Sequence, residues 1–288
     1  MRLQHGLRLP DFIGIGPPRT ATTWLNGVLS ARVGLPANVK ETDFFSYRYD
    51  RGLAWYAEHF RHCAATPVVG EFSPNYFHSR NARERIRHHL PEVRIICTLR
   101  DPVARLYSHY RLKTRMYSRK ISLVAALNED PDLIAASQYA SHLAQWLEAF
   151  GKQNVLAIMY DQLKTSPQQY VNSVCGFLGI ESIDVKASPA THRPSLKNVA
   201  THAPRRAKLA AAANRLKLRL QMNGYRRTAK VLRKIKVWHW CTQAGDEFLP
   251  MARDLEARLR DRFRPDVEWL EELLNCDLTP WKVQSYGG

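Results

Sequence analysis

Residues 11–25 read Asp-Phe-Ile-Gly-Ile-Gly-Pro-Pro-Arg-Thr-Ala-Thr-Thr-Trp-Leu, and they set out the first unit of the fold. The run 12–15 is apolar and typical of a short buried strand, and a Gly-Pro-Pro turn follows it. Apolar residues then recur at helical spacing, at Trp24, Leu25, Val28 and Leu29. The sequence therefore predicts a strand, a tight loop and a helix in direct succession.

The loop between that strand and that helix has the features of a phosphate site. Where a helix begins, backbone N–H groups and the positive end of the helix dipole point at one place and attract an anion. Arg19 adds a permanent positive charge, and hydroxyl donors follow it at Thr20, Thr22 and Thr23. An ordinary tight turn is the alternative, but such a turn does not need so many anion-binding groups together.

A Walker loop for ATP or GTP does not fit these residues. That loop reads Gly-x-x-x-x-Gly-Lys-Ser/Thr, and counting from Gly16 its second glycine and its lysine are replaced by Ala21 and Thr22. We also find no clear apolar strand that ends in an aspartate to hold magnesium. The loop is therefore expected to bind a phosphate without a metal, and not a triphosphate.

Strands and helices alternate over the first two-thirds of the chain, which indicates a parallel sheet covered by helices. Strands are predicted at 12–15, 67–71, 94–99 and 155–160. Helices are predicted at 22–31, 53–60, 80–90, 102–117, 132–150 and 167–178. The predicted fold class is α/β, with a P-loop-like parallel sheet flanked by helices.

A second run, 95–110, is also a candidate for ligand binding. It reads Ile-Ile-Cys-Thr-Leu-Arg-Asp-Pro-Val-Ala-Arg-Leu-Tyr-Ser-His-Tyr, so a buried strand delivers Arg100 at its end and Asp-Pro opens a helix. In open α/β sheets, ligands bind beyond the carboxyl ends of the strands, and Arg100 is therefore expected near the first loop. Ser108 follows about 12 Å further along a regular helix.

Both runs resemble motifs of the sulfotransferases that use 3′-phosphoadenosine 5′-phosphosulfate (PAPS). The run 16–25 is similar to their 5′-phosphosulfate loop, Gly-x-x-Lys/Arg-Thr/Ser-Gly-Thr-Thr-x-Leu. The run 100–110 matches their 3′-phosphate motif, Arg-Asp-Pro-x-x-Arg-x-x-Ser-x-Tyr, at each defined position. The resemblance covers roughly residues 10–180. It implies an enzyme that moves a sulfuryl group from PAPS to an acceptor hydroxyl and requires no metal.

The resemblance also implies which residues bind the donor. Arg100 and Ser108 take the 3′-phosphate, and Arg19 additionally neutralises the charge that grows on the bridging oxygen. A late basic loop of the family is matched loosely by Arg193 and Lys197. The 5′-phosphosulfate loop contributes Pro18, Arg19, Thr20, Ala21, Thr22, Thr23 and Trp24. Two positions depart from the family: an arginine stands at 19 where lysine is commoner, and Ala21 replaces a glycine, which disfavours positive φ.

The run 39–45, Val-Lys-Glu-Thr-Asp-Phe-Phe, resembles the Lys-Glu-x-x-Phe-Phe stretch of the glycosaminoglycan-type members. There the glutamate removes the proton from the acceptor, which implies that Glu41 is the catalytic base and favours a sugar hydroxyl on a carbohydrate as the acceptor, with a lipid-linked or phenolic acceptor as the alternative. A base is needed because a neutral alcohol is a poor nucleophile. From the residues alone Glu41 could equally cap a loop, and the rival candidates for the base are Asp43, His109 and His78.

The run 70–77, Gly-Glu-Phe-Ser-Pro-Asn-Tyr-Phe, resembles a further family element, Glu-Lys-Ser/Thr-Pro-x-Tyr-Phe. Phe72 stands where relatives have a lysine that contacts the acceptor or the transferred group. The resemblance therefore leaves open whether this chain uses the same acceptor chemistry as those relatives. Tyr76 and Phe77 either line the cleft or belong to the core. Arg105 is interpreted as a surface residue in a salt bridge, since arginine is commonly exposed.

The chain has 288 residues and a formal net charge of +17, and most of the excess lies in one segment. Between Val185 and Gly245 there is no Asp or Glu, against fifteen Lys and Arg. Such a segment attracts a phosphorylated cofactor, an acidic glycan, an anionic membrane surface or nucleic acid.

We divide the chain into an α/β core at 1–184 and a basic, mainly helical part at 185–288 that packs on the same domain. The latter is predicted as a loop at 188–204, a basic helix or helix pair at 205–236 and a helix from about 248 to 276.

Two other function classes stay open as alternatives. A small-molecule kinase of the P-loop type lacks its lysine, and a non-enzymatic binder of anionic polymers would act through the basic segment without a recognised nucleic-acid module. We therefore expect no specific nucleic-acid partner.

The sequence has no run of about 18 apolar residues, no apolar leader and only scattered cysteines. We expect a cytoplasmic protein without a transmembrane segment, for which peripheral contact with an anionic surface is compatible with the basic segment.

Overall fold

A computed structural model describes residues 3–4, 6–117, 121–187, 202–204, 209, 212–213, 215–216 and 244–283. Most of the predicted basic helix or helix pair at 205–236 lies outside the described residues. The strands are β1 (Leu3–Gln4), β2 (Leu7–Arg8), β3 (Phe12–Gly14), β4 (Gly70–Phe72), β5 (Arg94–Leu99), β6 (Val155–Met159), β7 (His202–Pro204) and β8 (Ala244–Glu247).

The helices described are α1 (Thr22–Leu29), α2 (Phe44–Tyr47), α3 (Gly52–Glu58), α4 (Arg80–His89), α5 (Pro102–Tyr117), α6 (Leu123–Glu129), α7 (Asp132–Ala135), α8 (Tyr139–Phe150), α9 (Tyr160–Thr165), α10 (Pro167–Leu178), α11 (Arg253–Leu274) and α12 (Thr279–Lys282). Short 3₁₀ turns lie at Tyr49–Arg51, Arg61–Cys63, Pro74–Tyr76 and Lys152–Asn154. Among the residues described, no helix combines the length and the apolar character needed to cross a bilayer.

The central sheet is parallel and has the strand order β4-β3-β5-β6. Phe12 pairs with Gly70 on one side and with Arg94 on the other, which aligns the three strands. The carboxyl ends of β3 and β5 therefore lie side by side, and the loops that follow them leave the sheet together. The predicted α/β class is confirmed, although β4 occupies Gly70–Phe72 rather than the predicted 67–71.

Both faces of the sheet are buried, as expected when helices cover a parallel sheet on each side. Along β5, Ile95, Cys97 and Leu99 belong to one apolar cluster, with residues of α8 and α11. Ile96 belongs to the opposite cluster, with residues of α1 and α10. The alternation along one strand thus builds two layers of core.

The last long helix, α11, completes the core next to the sheet. Val267 and Leu270 join the cluster that contains β5, while Leu259 and Phe263 pack with residues of α5. The helix begins at Arg253 rather than near the predicted 248. The buried Arg260 donates from Nη1 to an Asp101 carboxylate oxygen at 3.2 Å and to the Trp281 carbonyl at 2.7 Å, which fixes α11 to the start of α5.

Two sequence predictions are wrong. The helix predicted at 132–150 is interrupted at residues 136–138 and forms α7 and α8. Arg105 lies at this break, where its guanidinium donates to the Leu133 carbonyl at 2.6 Å and to the Ser137 hydroxyl at 2.7 Å. The loop predicted at 188–204 contains β7, which pairs with β8 in an antiparallel ribbon.

Candidate functional site

The loop between β3 and α1 is closed by its contact with β5. A Cβ on Gly16 would lie 2.0 Å from Thr98 Oγ1 and 2.7 Å from Thr98 N, so only glycine fits at that position. Thr20 is fully buried, and its hydroxyl donates to the Pro17 carbonyl at 2.8 Å and lies 2.6 Å from Thr98 Oγ1. The predicted donor hydroxyl of Thr20 is therefore occupied inside the protein.

Two residues of the loop adopt left-handed backbone conformations. Arg19 has φ 82° and Ala21 has φ 68°, although neither is glycine. A left-handed conformation costs an L-residue about 1–2 kcal/mol. Ala21 retains the loop shape because its carbonyl accepts from Trp24 N at 3.0 Å and Leu25 N at 3.1 Å at the start of α1. The loop thus places a left-handed alanine where the sequence resemblance has glycine.

The two predicted donor motifs meet at this loop. Arg19 Nε donates to Ser108 Oγ at 2.8 Å, and Arg100 Nη1 donates to the Arg19 carbonyl at 3.2 Å. The Arg100 guanidinium also lies 4.9 Å from the centre of the Tyr160 ring. Arg100 Nε is buried and makes no hydrogen bond within the described part of the chain. Side chains from the β3–α1 and β5–α5 junctions therefore converge, as the sequence predicts.

The electrostatics of this cluster favour an anion. Burial lowers the pKa of Arg19, and the neighbouring charge of Arg100 lowers that pKa further. Two guanidinium groups that repel each other in a half-buried place gain from an anion between them. The amides that open α1 at Thr22 and Thr23 add to this attraction, since the first amides of a helix have no acceptor within it.

Arg105 supports the loop from behind, and its predicted place on the surface is wrong. The side chain is fully buried, and Nη1 donates to the Pro18 carbonyl at 3.3 Å and to His109 Nδ1 at 3.3 Å. Burial lowers the pKa of Arg105 to about 10, so it stays charged at neutral pH. Sequence reasoning missed this role, although Arg105 is a defined position of the 3′-phosphate motif.

The remaining donor-loop positions differ in what they offer. Trp24 is buried and packs its ring 6.2 Å from that of Tyr170, so its side chain belongs to the core. Thr23 is exposed, whereas Thr22 is buried and its hydroxyl accepts from Lys40. Arg193 and Lys197 lie outside the described residues. The donor-binding roles of the residues in this paragraph stay predictions.

The candidate base Glu41 is joined to the donor loop through Lys40. Lys40 Nζ donates to Glu41 Oε1 at 2.7 Å and to Thr22 Oγ1 at 3.2 Å. The Glu41 side chain is 38% exposed, so a solvent-borne acceptor can reach it. Lys40 therefore bridges the Glu41 carboxylate and the hydroxyl of Thr22, the first residue of α1.

Asp43 is the rival carboxylate in the same segment. It has φ 48°, its Oδ1 accepts from Asn75 Nδ2 at 3.1 Å, and its backbone N donates to Ser73 Oγ at 3.1 Å. Burial raises the pKa of Asp43 to about 6, and the charge of Glu41 adds to the rise. Asp43 is therefore a group that titrates near neutral pH beside the candidate base.

The two histidine candidates are poor bases. Burial lowers the pKa of His109 to about 2, and the positive charge of Arg105 contributes to this decrease. Burial also lowers the pKa of His78, a shift that Asp132 partly opposes. A base whose pKa is lowered as far as that of His109 has little tendency to take a proton from an alcohol, which argues against His109 in that role.

The run 70–77 packs against the segment 41–45, which carries both candidate carboxylates. Phe72 is fully buried and packs edge-to-face on Phe12 at 5.9 Å, on the opposite side of the sheet from Glu71. Tyr76 and Phe77 belong to the core. Glu71, which sequence reasoning passed over, is fully buried and accepts from the hydroxyls of Thr42, Tyr56, Ser73 and Tyr76. Burial raises its pKa, and these hydrogen bonds oppose the rise.

Comparisons with known proteins agree with this geometry. The family model described as "Sulfotransferase domain" matches residues 9–240. The human bifunctional heparan sulfate N-deacetylase/N-sulfotransferase 3 is 33% identical over 200 residues, which cover 60% of this chain and 22% of the human protein. The Caenorhabditis elegans bifunctional heparan sulfate N-deacetylase/N-sulfotransferase 1 is 26% identical over 191 residues, with the same coverage. The matched part of the chain thus spans about a fifth of the length of these relatives.

A solved structure shows the same fold. The sulfotransferase from Alicyclobacillus acidocaldarius superposes with a TM-score of 0.68 at 21% sequence identity. The superposition covers 96% of this chain and 100% of that chain.

Proposed function

The chain belongs to the sulfotransferase family, and on that basis we propose that it transfers a sulfuryl group from PAPS to an acceptor on a carbohydrate. The observation that carries this proposal is the convergence of Arg19, Ser108 and Arg100 from two strand–helix junctions. Two cationic side chains and the amides that open α1 suit a nucleotide with phosphates at both its 5′ and 3′ positions.

In the proposed reaction, the acceptor atom forms a bond to sulfur while the bond between sulfur and the bridging phosphate oxygen breaks. The products are the sulfated acceptor and adenosine 3′,5′-bisphosphate (PAP). Arg19 and the amides of Thr22 and Thr23 stabilise the negative charge that develops on the leaving phosphate. Glu41 takes the proton that the acceptor loses, since its carboxylate is exposed and held toward the donor loop by Lys40.

The position of Arg100 at the end of β5 supports its assignment to the 3′-phosphate. Its Nη1 donates to the Arg19 carbonyl at 3.2 Å, so its guanidinium lies against the loop between β3 and α1. Arg100→Ala is expected to weaken PAP binding far more than AMP binding, because only PAP carries the 3′-phosphate. Thermal shift with PAP, AMP and ATP measures this, since a ligand that binds the folded state stabilises it. Equal losses for PAP and AMP would contradict the assignment, and Arg80→Ala, an exposed arginine, is the matched control.

The base is tested with Glu41→Gln. This variant is expected to retain PAP binding but to lose about 100- to 10,000-fold in turnover of labelled PAPS, the range usual for a general base. Glu58→Gln, an exposed glutamate of α3 paired with Arg61, is the control for the chemical change. Turnover preserved in Glu41→Gln would remove it from the role and leave Asp43.

The acceptor atom is either a hydroxyl or an amine. The sequence resemblance implies a hydroxyl, whereas the relatives named above are N-sulfotransferases and favour an amino group. An amine acceptor must also lose a proton, so the role proposed for Glu41 is the same. Parallel assays with N-acetylated and N-deacetylated forms of one polysaccharide distinguish the two, because only the second offers amines.

A further inference from the structure

The carboxylate of Glu71 is fully buried behind the segment that carries Glu41. Its hydrogen-bond partners are hydroxyls. Thr42 Oγ1 at 2.5 Å and Ser73 Oγ at 2.8 Å donate to Oε2, while Tyr56 OH at 2.7 Å and Tyr76 OH at 3.1 Å donate to Oε1. An ionised carboxylate accepts hydrogen bonds only, so four hydroxyl donors fit that form of the group.

Three of these hydroxyls also accept from successive backbone amides at the start of α2. The pairs are Asp43 N to Ser73 Oγ at 3.1 Å, Phe44 N to Thr42 Oγ1 at 3.3 Å and Phe45 N to Tyr76 OH at 3.2 Å. A hydroxyl has a single hydrogen, which each of these three can donate to Glu71, and Thr42 Oγ1 and Tyr76 OH also lie 3.2 Å from each other. The oxygen lone pairs are thereby turned toward the amides.

The carboxylate thus binds the start of α2 through one layer of hydroxyls. In addition, Thr42 N points at Glu71 Oε2 at 3.4 Å, so the amides of four consecutive residues are directed to this network. The network begins at the residue directly after Glu41. It fixes the direction in which the chain leaves the candidate base, together with Arg48, which donates to the Thr42 carbonyl at 2.9 Å, while Lys40 holds the Glu41 side chain.

We propose that Glu71 is a positioning residue for Glu41, which it holds at the reacting geometry through Thr42, Ser73 and Tyr76. This inference rests on the proposed function, since it assumes that Glu41 is the base. Glu71 touches no substrate. A displacement of about 1 Å at a reacting group can cost about 100-fold in rate, so the network acts on turnover rather than on donor binding.

Tyr56 provides the matched control. Its hydroxyl donates to the same Glu71 oxygen as that of Tyr76, but its bonds in the described residues do not reach an amide of the segment. Its ring stacks on Phe44 at 4.6 Å, and phenylalanine would keep that contact. Tyr56→Phe and Tyr76→Phe therefore remove one hydrogen bond each from the same carboxylate, and only the second also releases the Phe45 amide.

The test compares Glu71→Gln, Ser73→Ala, Tyr76→Phe and Tyr56→Phe with the unmodified chain. The first three are expected to lose about 10- to 100-fold in kcat, with KM for PAPS and PAP affinity changed by less than about three-fold. Tyr56→Phe is expected to lower the melting temperature, though by less than Tyr76→Phe, whose hydroxyl also accepts from Phe45 N and lies 3.2 Å from Thr42 Oγ1, and to keep kcat within about three-fold. If kcat instead falls in step with melting temperature in both tyrosine variants, the inference is overturned.

Amide hydrogen exchange supplies a measurement that does not depend on activity. Exchange of the backbone amides at 42–45 is expected to be faster in Tyr76→Phe and Ser73→Ala than in Tyr56→Phe, and equal rates would overturn the inference. If Glu71→Gln fails to fold, the two tyrosine variants still decide the question. If the unmodified chain does not turn over PAPS, the proposed function fails while the exchange result still reports on the network.

Discussion

Replacing Asp43 by asparagine should stabilise the protein at neutral pH and not in acid. The side chains have nearly the same shape, and the amide oxygen of asparagine can still accept from Asn75 Nδ2. Asparagine also tolerates the left-handed φ of 48° at this position. The substitution therefore removes the negative charge and leaves the local geometry in place.

The magnitude follows from the pKa of Asp43. Burial and the charge of Glu41 raise it from 3.8 to about 6 in the folded state. Between these values the unfolded chain has lost the proton while the folded chain still holds it, so stability falls as pH rises through this window. The cost is near zero below the unfolded pKa of 3.8 and reaches at most about 3 kcal/mol above pH 6. Asparagine avoids this cost because its side chain does not ionise.

Urea unfolding of both proteins at a series of pH values measures this difference. Asp43→Asn is expected to be more stable by up to about 3 kcal/mol above pH 6, with the advantage shrinking toward pH 4. Asp50→Asn, an exposed aspartate nearby, controls for the loss of one negative charge. A difference that does not vary with pH, or a variant less stable at neutral pH, would refute the reasoning about burial.

Three further substitutions have defined outcomes. Ala21→Gly relieves a φ of 68° and should raise the free energy of unfolding by up to about 1 kcal/mol in urea, and a decrease would argue against strain at this residue. Arg105→Met deprives the Pro18 and Leu133 carbonyls of a buried charged donor and should cost about 3 kcal/mol or more by the same measurement, with weaker PAP binding in thermal shift. Phe72→Lys should cost at least about 3 kcal/mol without a gain in turnover, since the charge would enter the core, and a stable, more active variant would contradict the placement of this residue.

The segment of β5 and α5 was predictable because its signals are local. The apolar run ends at the predicted residue, and α5 occupies the predicted 102–117. Asp101 Oδ1 accepts from Val103 N at 2.8 Å and Ala104 N at 3.0 Å, which is the cap that the Asp-Pro pair indicates. Strand alternation and helix caps depend on neighbours in sequence, so a single sequence contains them.

The break between α7 and α8 was not predictable from local signals. Residues 132–150 carry a continuous helical pattern, and the groups at the interruption bond to the guanidinium of Arg105, about thirty residues earlier in the chain. Arg105 was misread for the same reason, because an arginine on a helix looks exposed until its carbonyl partners are known. Glu71 was overlooked because its four hydroxyl partners come from three separate segments.

These two misread residues support the two halves of the site in opposite ways. Beside the proposed donor site, the buried guanidinium of Arg105 binds the Pro18 carbonyl. Beside the proposed base, the buried carboxylate of Glu71 binds the amides of the neighbouring segment through hydroxyls. The guanidinium of Arg105 thus binds backbone carbonyls, and the carboxylate of Glu71 binds backbone amides through hydroxyls. Under the proposed function, a cation that holds carbonyls suits a loop that presents amides to phosphate, and an anion that holds amides keeps them from attracting the carboxylate of Glu41, the proposed base.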